Sequence, residues 1–465
     1  MNNKIAILHT NDLHSHFENF PRIQRFMQNE TTKLEKEGYH VLRVDDGDAI
    51  DRFNPLTDVT SGRENVKLLN QLHYFATTIG NNEVLTTSHD ELNQLYDQAN
   101  FDVLIDNVID EKTGEYPKWA KLYKDLKLKD GKIIRFMALT FPYATFNDLG
   151  WDAKPVYETI QKLIEKWKGQ YDCLILLSHL GINFDREIAV KFPEISIIIG
   201  GHTHHLLENG LLIDNTLLTA AEKWGHYIGE ITFNLDDGVV KNRKAKTIKV
   251  DKLAVDNQDE KWVSNLDHLG RSKLAKRKVA DLPQKLSTSL TDDNDLIEVG
   301  LNAMNQYAGT QAAVLNTGLF LDDLSAGIVD MNQIQKVLPH NIHVMKTELY
   351  GYDLWRLVKE MEKNKKFLIR FEQKGMGFRG KYFGKLIYKG LYFDEKKQQL
   401  FFQDELVLPY QKYEIALLDH YNFIPFFPTI NIVGKNHIYF EGTLKEMFAE
   451  YLTKKYPIKG GSNET

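Results

Sequence analysis

An α/β fold is predicted for the N-terminal half of this 465-residue chain by three observations. Short aliphatic or β-branched runs alternate with amphipathic segments from residue 4 to about 235, the pattern of strands buried between helical layers. Polar residues gather directly behind those runs. The composition, 42% apolar and 26% charged with 12 Pro and 30 Gly, is that of a chain that buries cores and not of a disordered or collagen-like one.

In chain order, runs at 5–8, 41–44, 76–79, 103–105, 133–139, 174–177, 195–199 and 228–233 read as strands, and 21–37, 63–75, 91–99 and 156–167 as helices. The run 195–199, Ile-Ser-Ile-Ile-Ile, is the clearest buried strand. Residues 235–280 are strongly polar, with basic runs at 241–246 and 273–278. No aromatic residues interleave with those cations, so they read as a solvated strand end followed by a solvated helix or linker and not as a nucleic-acid surface. Past about 290 come a helix at 296–307 and aromatic-rich strands at 313–316, 385–393 and 414–418, a mixed α+β region. The expected division is 1–240, a charged linker or helix at 241–290, and 291–465, with a tail at 460–465 that should fray.

Lys plus Arg is 58 against 64 Asp plus Glu, a net charge of −6, which excludes bulk adhesion to nucleic acid or to an anionic membrane. No segment reaches the roughly 18 consecutive apolar residues that span a bilayer. Cys173 is the one cysteine, so no internal disulfide framework exists. The chain enters the strand-like run at residue 5 with no room for a signal h-region, and a cytoplasmic protein is expected.

In open α/β sheets, ligands bind beyond the carboxyl ends of strands. Behind the first run stands Asp12-Leu13-His14, behind the second Asp45-Asp46-Gly47-Asp48, and behind the third Gly80-Asn81-Asn82-Glu83. Ser178-His179 follows 174–177, and Gly200-Gly201-His202-Thr203-His204 follows 195–199. Any one of these alone reads as an ordinary turn residue. Together they supply carboxylates, a carboxamide and imidazoles, the borderline donors that hold Mn, Fe, Zn or Co. Asp12 and His14, like His202 and His204, are two residues apart, so in locally extended backbone each pair points to one side. Gly47, Gly80, Gly200 and Gly201 permit the tight turns a metal site needs.

These motifs, in this order, resemble the calcineurin-like metallophosphoesterases, and the run Ile7-Leu8-His9-Thr10-Asn11-Asp12-Leu13-His14 is especially similar to the N-terminal signature of the two-domain 5′-nucleotidases among them. Further on, residues 324–328, Val337-Leu338-Pro339 and 348–354 resemble that family's C-terminal substrate domain. The resemblance implies a four-layer α/β/β/α domain followed by an α+β substrate domain. It also implies two divalent cations drawn from Mn, Zn, Fe or Co, one held by Asp12, His14 and His204, the other by Asn81, His179 and His202, with Asp48 between them. Two cations roughly 3.5–4 Å apart need a bridging anion, and the pair activates a water as hydroxide for in-line attack on phosphorus. The implied activity is hydrolysis of a nucleotide or related small phosphoester, with no nucleic-acid polymer or membrane as partner; oligomeric state stays open.

The sequence departs from the family at two places. Where most of these nucleotidases carry Gly-Asn-His-Glu, an apolar residue and Asp, this chain has Asn82, Val84 and Leu85, so the usual His–Asp dyad is missing. Asn82, with Asp48, is the catalytic candidate, yet an amide donates a hydrogen bond without titrating, and a positioned general acid typically supplies about 10²–10⁴-fold. Two alternatives therefore stand beside nucleotide hydrolysis: a phosphodiesterase or pyrophosphatase with weak monoesterase activity, and a metal-stabilised nucleotide-binding or sensor protein without turnover. His89 and His205 are the imidazoles that can stand in. In the C-terminal region, the family's Asn-Gly-Gly-Gly-Ile-Arg loop matches residues 316–321, where the Arg becomes Leu321. Asn316 and Gly318 are the loop contacts expected for substrate, and Phe378, Tyr382, His420, Tyr421 and Phe423 the rings that can stack on a base, with a core role as the alternative.

Overall fold

The computed structural model describes residues 3–292, 294–375 and 377–458; the tail at 460–465 lies outside them. The chain divides into two compact units, 1–270 and 271–465.

Two sheets form the first unit. One orders seven strands as Val239–Lys249, Tyr227–Asp236, Asn3–Thr10, Tyr39–Asp45, Ala76–Thr78, Asp102–Leu104 and Ala120–Lys121. The other orders six as Leu211–Ile213, Thr216–Thr219, Ile195–Gly200, Cys173–His179, Ile133–Thr140 and Lys124–Lys127. The strands starting at Asn3, Tyr39 and Ala76 pair in parallel, as do those starting at Ile133, Cys173 and Ile195, so their carboxyl ends share one edge in each sheet.

Strand periodicity explains why these runs are apolar throughout. Within Cys173–His179, Ile175 and Leu177 point into a core shared with Ile5, Ile7, Phe136, Ile197 and Ile199 of both sheets. The intervening Leu174 and Leu176 point the other way, against Val156, Ile160, Leu163 and Ile188 of the helices Val156–Lys166 and Ile182–Lys191. Helix Phe20–Lys36 buries Phe20, Ile23, Met27 and Leu34, a stripe at helical spacing, and packs against strand Tyr39–Asp45 of the first sheet. The order of layers is helix, sheet, sheet, helix.

The helix expected over 63–75 ends at Asn70, because the chain turns at His73 in a left-handed conformation (φ 52°) before re-entering a strand. The basic run 241–246 belongs to strand Val239–Lys249, joined to Tyr227–Asp236 by the left-handed pair Asp237-Gly238 (φ 50° and 78°), the Asp-Gly chemistry of a tight hairpin. Its lysines occupy the sheet edge, where they discourage edge-to-edge pairing. The second basic run is the last turn of helix Asp259–Lys276 and the start of strand Lys278–Leu282. Residues 241–290, read from the sequence as a solvated strand end and a charged linker or helix, hold a strand, a helix and a second strand.

The second unit centres on a five-stranded sheet ordered Leu386–Lys389, Ala312–Asn316, Lys412–Leu418, His343–Tyr350 and Lys435–Thr443. The single strand expected over 385–393 is broken at Gly390 (φ 71°), and Leu391–Asp394 joins a separate three-stranded sheet. Among the described residues, no helix is long and apolar enough to cross a membrane.

Candidate metal centre

The strand ends of the first unit meet at one place, and the backbone there is strained. Asp12 (φ 52°), His14 (46°), Asp48 (48°), His202 (66°) and His204 (54°) all adopt the left-handed region. Each such non-glycine residue costs roughly 1–2 kcal/mol. The two pairs spaced two residues apart therefore converge, but through left-handed turns and not through the extended backbone expected from their spacing. Hydrogen bonds between loops hold those turns: Asp12 N–H donates to Gly47 O (3.0 Å), His14 N–H to Asp48 O (2.8 Å) and Ser15 N–H to Ala49 O (3.1 Å). Outliers of this kind cluster where function over-determines the backbone.

The side chains form two overlapping groups, Asp12/His14/His204 and Asp12/Asp48/His179, whose ligand atoms lie within 4.8 Å of one another. His14 Nε2 is 3.8 Å from Asp12 Oδ1 and 3.7 Å from Asp48 Oδ2. His204 Nε2 is 3.4 Å from Asp12 Oδ1, and His179 Nε2 is 3.4 Å from Asp48 Oδ2. One oxygen of Asp48 thus lies between His14 and His179. Asn81 Oδ1 and His202 Nδ1 are 2.8 Å apart.

The donor set fits a cation. His179 Nδ1 donates to Asp46 O (2.6 Å), which turns Nε2 toward the Asp48 carboxylate, where either a proton or a cation must lie between the two. That Nε2 is buried and has no hydrogen-bond partner. Two acceptors face to face repel unless a proton or a cation lies between them. Burial opposes charge on His179, but Asp48, then Asp12 and Asp46, outweigh it and raise the imidazole well above its ordinary value. Burial likewise disfavours the Asp48 anion, yet His179 outweighs it and holds the carboxyl below the usual range. Burial lowers His202 to about 4, so its ring is neutral and keeps a lone pair. Glycines make the cavity: a Cβ on Gly80 would run into the Asp48 carboxylate, and one on Gly201 would sit 3.0 Å from His179 Nδ1 and 3.1 Å from Asp12 Oδ2.

Two residues passed over in the sequence shape this site. The buried Glu83 carboxylate accepts N–H bonds from Asp48 (3.0 Å), Ala49 (2.8 Å), Ile50 (3.2 Å) and Gly80 (2.8 Å), lacing the second and third strand-end loops together. Tyr143, behind strand Ile133–Thr140, brings its hydroxyl to 3.5 Å from His202 Nε2. Extending the strand-end rule to the run 133–139 is the signal that finds it.

Asn82 is tied down within the protein. Its N–H donates to Asp48 Oδ1 (2.7 Å), its amide nitrogen to Ile50 O (3.0 Å) while lying 2.9 Å from His14 Nδ1, and its oxygen accepts from Asn81 (3.2 Å). His89 pairs with Asp110 (3.1 Å) and stacks on Trp151, and His205 Nδ1 lies 2.9 Å from Thr203 Oγ1.

In the second unit Asn316, Gly318, Phe378, His420 and Tyr421 are packed inward. Asn316 accepts from the Tyr421 hydroxyl (2.8 Å) and donates to Phe383 O (2.6 Å). Gly318 is buried against the backbone of Tyr382 and Phe383. Phe378 lies between the rings of His340 (5.0 Å) and His420 (6.3 Å), and Phe378, His420 and Tyr421 are 3%, 1% and 0% exposed, so they present no open stacking face. Tyr382 is half-buried and Phe423 is exposed.

Comparison with known proteins matches the same two parts of the chain. Residues 5–206 match the calcineurin-like phosphoesterase family, and 275–392 the 5′-nucleotidase C-terminal domain. The metallophosphoesterase YunD of Bacillus subtilis is 33% identical over 462 residues, covering 97% of this chain and 99% of its own. The trifunctional nucleotide phosphoesterase YfkN of the same organism is 24% identical over 75% of this chain and 27% of its own, and the 5′-nucleotidase of Vibrio vulnificus 22% identical over 76% and 74%. Two solved structures share the fold: the Thermus thermophilus 5′-nucleotidase precursor (TM-score 0.60, 18% identity, 99% and 98% covered) and the Haemophilus influenzae NAD nucleotidase (TM-score 0.65, 16% identity, 98% and 97% covered). With strand-end loops that gather carboxylates and imidazoles into groups able to hold a metal ion, this chain belongs to the calcineurin-like metallophosphoesterases, hydrolases here joined to a 5′-nucleotidase C-terminal domain.

Proposed function

We propose that this protein hydrolyses a nucleotide or a closely related phosphoester, using two divalent cations of the Mn, Zn, Fe or Co class. The observation that carries the reading is the pair of overlapping acceptor groups around Asp12 and Asp48, with His179 Nε2 buried and unpartnered among them. Asp12, His14 and His204 would hold one cation, Asn81, His179 and His202 the other, and Asp48 would bridge. Cations held there would supply Lewis-acid polarisation of phosphoryl oxygens and a water made nucleophilic near neutral pH. The chain itself orients the donors: Asp46 O sets the His179 tautomer, Asn82 N–H fixes the Asp48 carboxylate, and Glu83 holds both loops. The nucleotide as substrate is supported by the names of the relatives YfkN and Vibrio vulnificus 5′-nucleotidase. A cytoplasmic setting belongs to the same reading, supported by the single, buried Cys173.

A second reading, preference for diesters or pyrophosphates over monoesters, is favoured by Asn82, whose amide neither titrates nor is left over for a leaving group. Protein reconstituted with each metal and given AMP, a nucleoside diester and a dinucleoside pyrophosphate tests both. Metal-dependent turnover abolished by chelation is expected, and no turnover on any of the three after reconstitution refutes the hydrolase reading for nucleotides. Comparable rates on AMP and the diester would remove the second reading. Asp48→Asn should release metal, read by elemental analysis, and lower kcat/KM by at least about 100-fold, since it withdraws the bridging charge.

A further inference from the structure

The substrate side of the metal centre needs a hydrogen-bond donor for phosphoryl oxygen, and the residue where the sequence places one does not supply it. The Asn82 amide nitrogen donates to Ile50 O and its oxygen accepts from Asn81, with the amide 2.9 Å from His14 Nδ1. The exposed His205 ring faces Thr203. Beside His202 stands Tyr143, half-buried, with its ring packed on Phe141 (4.7 Å) and Phe146 (5.9 Å) and set edge-on to His202 (6.0 Å). Phe141 in turn stacks face to face on His202 (5.2 Å, 23°). Backbone bonds from Phe141 N–H to His179 O (2.9 Å) and from Phe146 N–H to Tyr143 O (3.0 Å) fix this segment to the strand that carries His179.

The hydrogen-bond arithmetic at His202 leaves one proton over. His202 Nδ1 faces Asn81 Oδ1 at 2.8 Å, on the side of the donor set. With that lone pair directed to the metal position, the ring N–H is on Nε2 and points to the Tyr143 oxygen at 3.5 Å. The hydroxyl then accepts from His202 and keeps its own O–H to donate; among the described residues it has no other hydrogen-bond partner.

We propose that the Tyr143 hydroxyl is a substrate-contacting residue that donates a hydrogen bond to a phosphoryl oxygen held beside His202. The inference rests on the phosphoester reading of the metal centre. A neutral donor to an anionic oxygen in a partly buried site is worth more than an ordinary hydrogen bond, and no proton transfer is asked of it.

The test is Tyr143→Phe, which removes one oxygen and keeps the ring packing. Metal-loaded wild type and variant are compared in metal content, thermal midpoint, orthophosphate affinity by calorimetry, and kcat/KM on AMP and a diester. The expected result is unchanged metal content and midpoint, orthophosphate bound about tenfold more weakly, and kcat/KM lower by about 10 to 100-fold. Equal orthophosphate affinity in the two proteins overturns the proposal, as does metal loss in the variant, which would make Tyr143 a prop for His202. Wild type that binds no orthophosphate when loaded overturns it as well. Wild type that binds orthophosphate but turns over no phosphoester counts against the hydrolase reading alone, and the affinity difference still decides the role of Tyr143.

Discussion

Gly80 shows how much of this site is decided by what is absent from a residue. A methyl group on its Cα would run into the Asp48 carboxylate and the His179 ring. Gly80→Ala leaves every donor in place, yet it should lower metal affinity and kcat/KM by about 10 to 100-fold, the loss typical when groups supporting the ligands are disturbed. Metal titration of the variant checks this, and wild-type affinity would show that the loop yields. Glu83 works by the opposite means, through four backbone N–H groups on two loops. A buried donor left without its acceptor costs about 1–3 kcal/mol. Glu83→Ala should therefore cost several kcal/mol in chemical denaturation; a cost below 1 kcal/mol would mean that water replaces the carboxylate.

At the scale of elements, the strand Cys173–His179 does two jobs with one period. Alternate side chains fill the layer between the sheets and the layer under the helices, and its last residue delivers His179 to the metal centre. Ile175 is fully buried between the sheets, so Ile175→Ala should destabilise the protein by about 2–5 kcal/mol. Lys244, on the solvated edge strand, should be replaceable by Ala within about 0.5 kcal/mol. Denaturant unfolding of the pair checks both; equal effects would contradict the layer assignment. The break of the expected 385–393 strand at Gly390 shows where pattern reading runs short. Aromatic and β-branched residues continue on both sides, and only the left-handed glycine marks the change of sheet.

For the molecule as a whole, two buried histidines of the second unit make a separable contribution to the response to acid. In the second unit, burial lowers His340 to about 4 and His420 to about 3, from an ordinary 6.5. Unfolded, each ring takes a proton below pH about 6.5, whereas folded it stays neutral until pH about 3–4. For these two groups the unfolded state binds more protons across that window, so their contribution to stability falls as pH drops through it, by up to about 1.4 kcal/mol per pH unit for each histidine. Urea unfolding at pH 7.5 and 5.0 should show the stability difference between wild type and His420→Phe shifting against wild type as pH falls; a difference that does not change with pH would contradict the assignment. The sequence by itself determined the alternation of strands and helices, the strand-end motifs and the chemical class of the donors, because those follow from neighbours along the chain and from side-chain type. Only the tertiary structure decided that the donor pairs converge through left-handed turns, that Asp48 lies between His14 and His179, that Asn82 is already committed, that Phe378 and His420 are buried against each other, and that Tyr143 reaches His202. Each of those depends on which atoms distant segments bring within a few ångströms, and strand pairing between loops far apart in sequence fixes that, which no local pattern encodes.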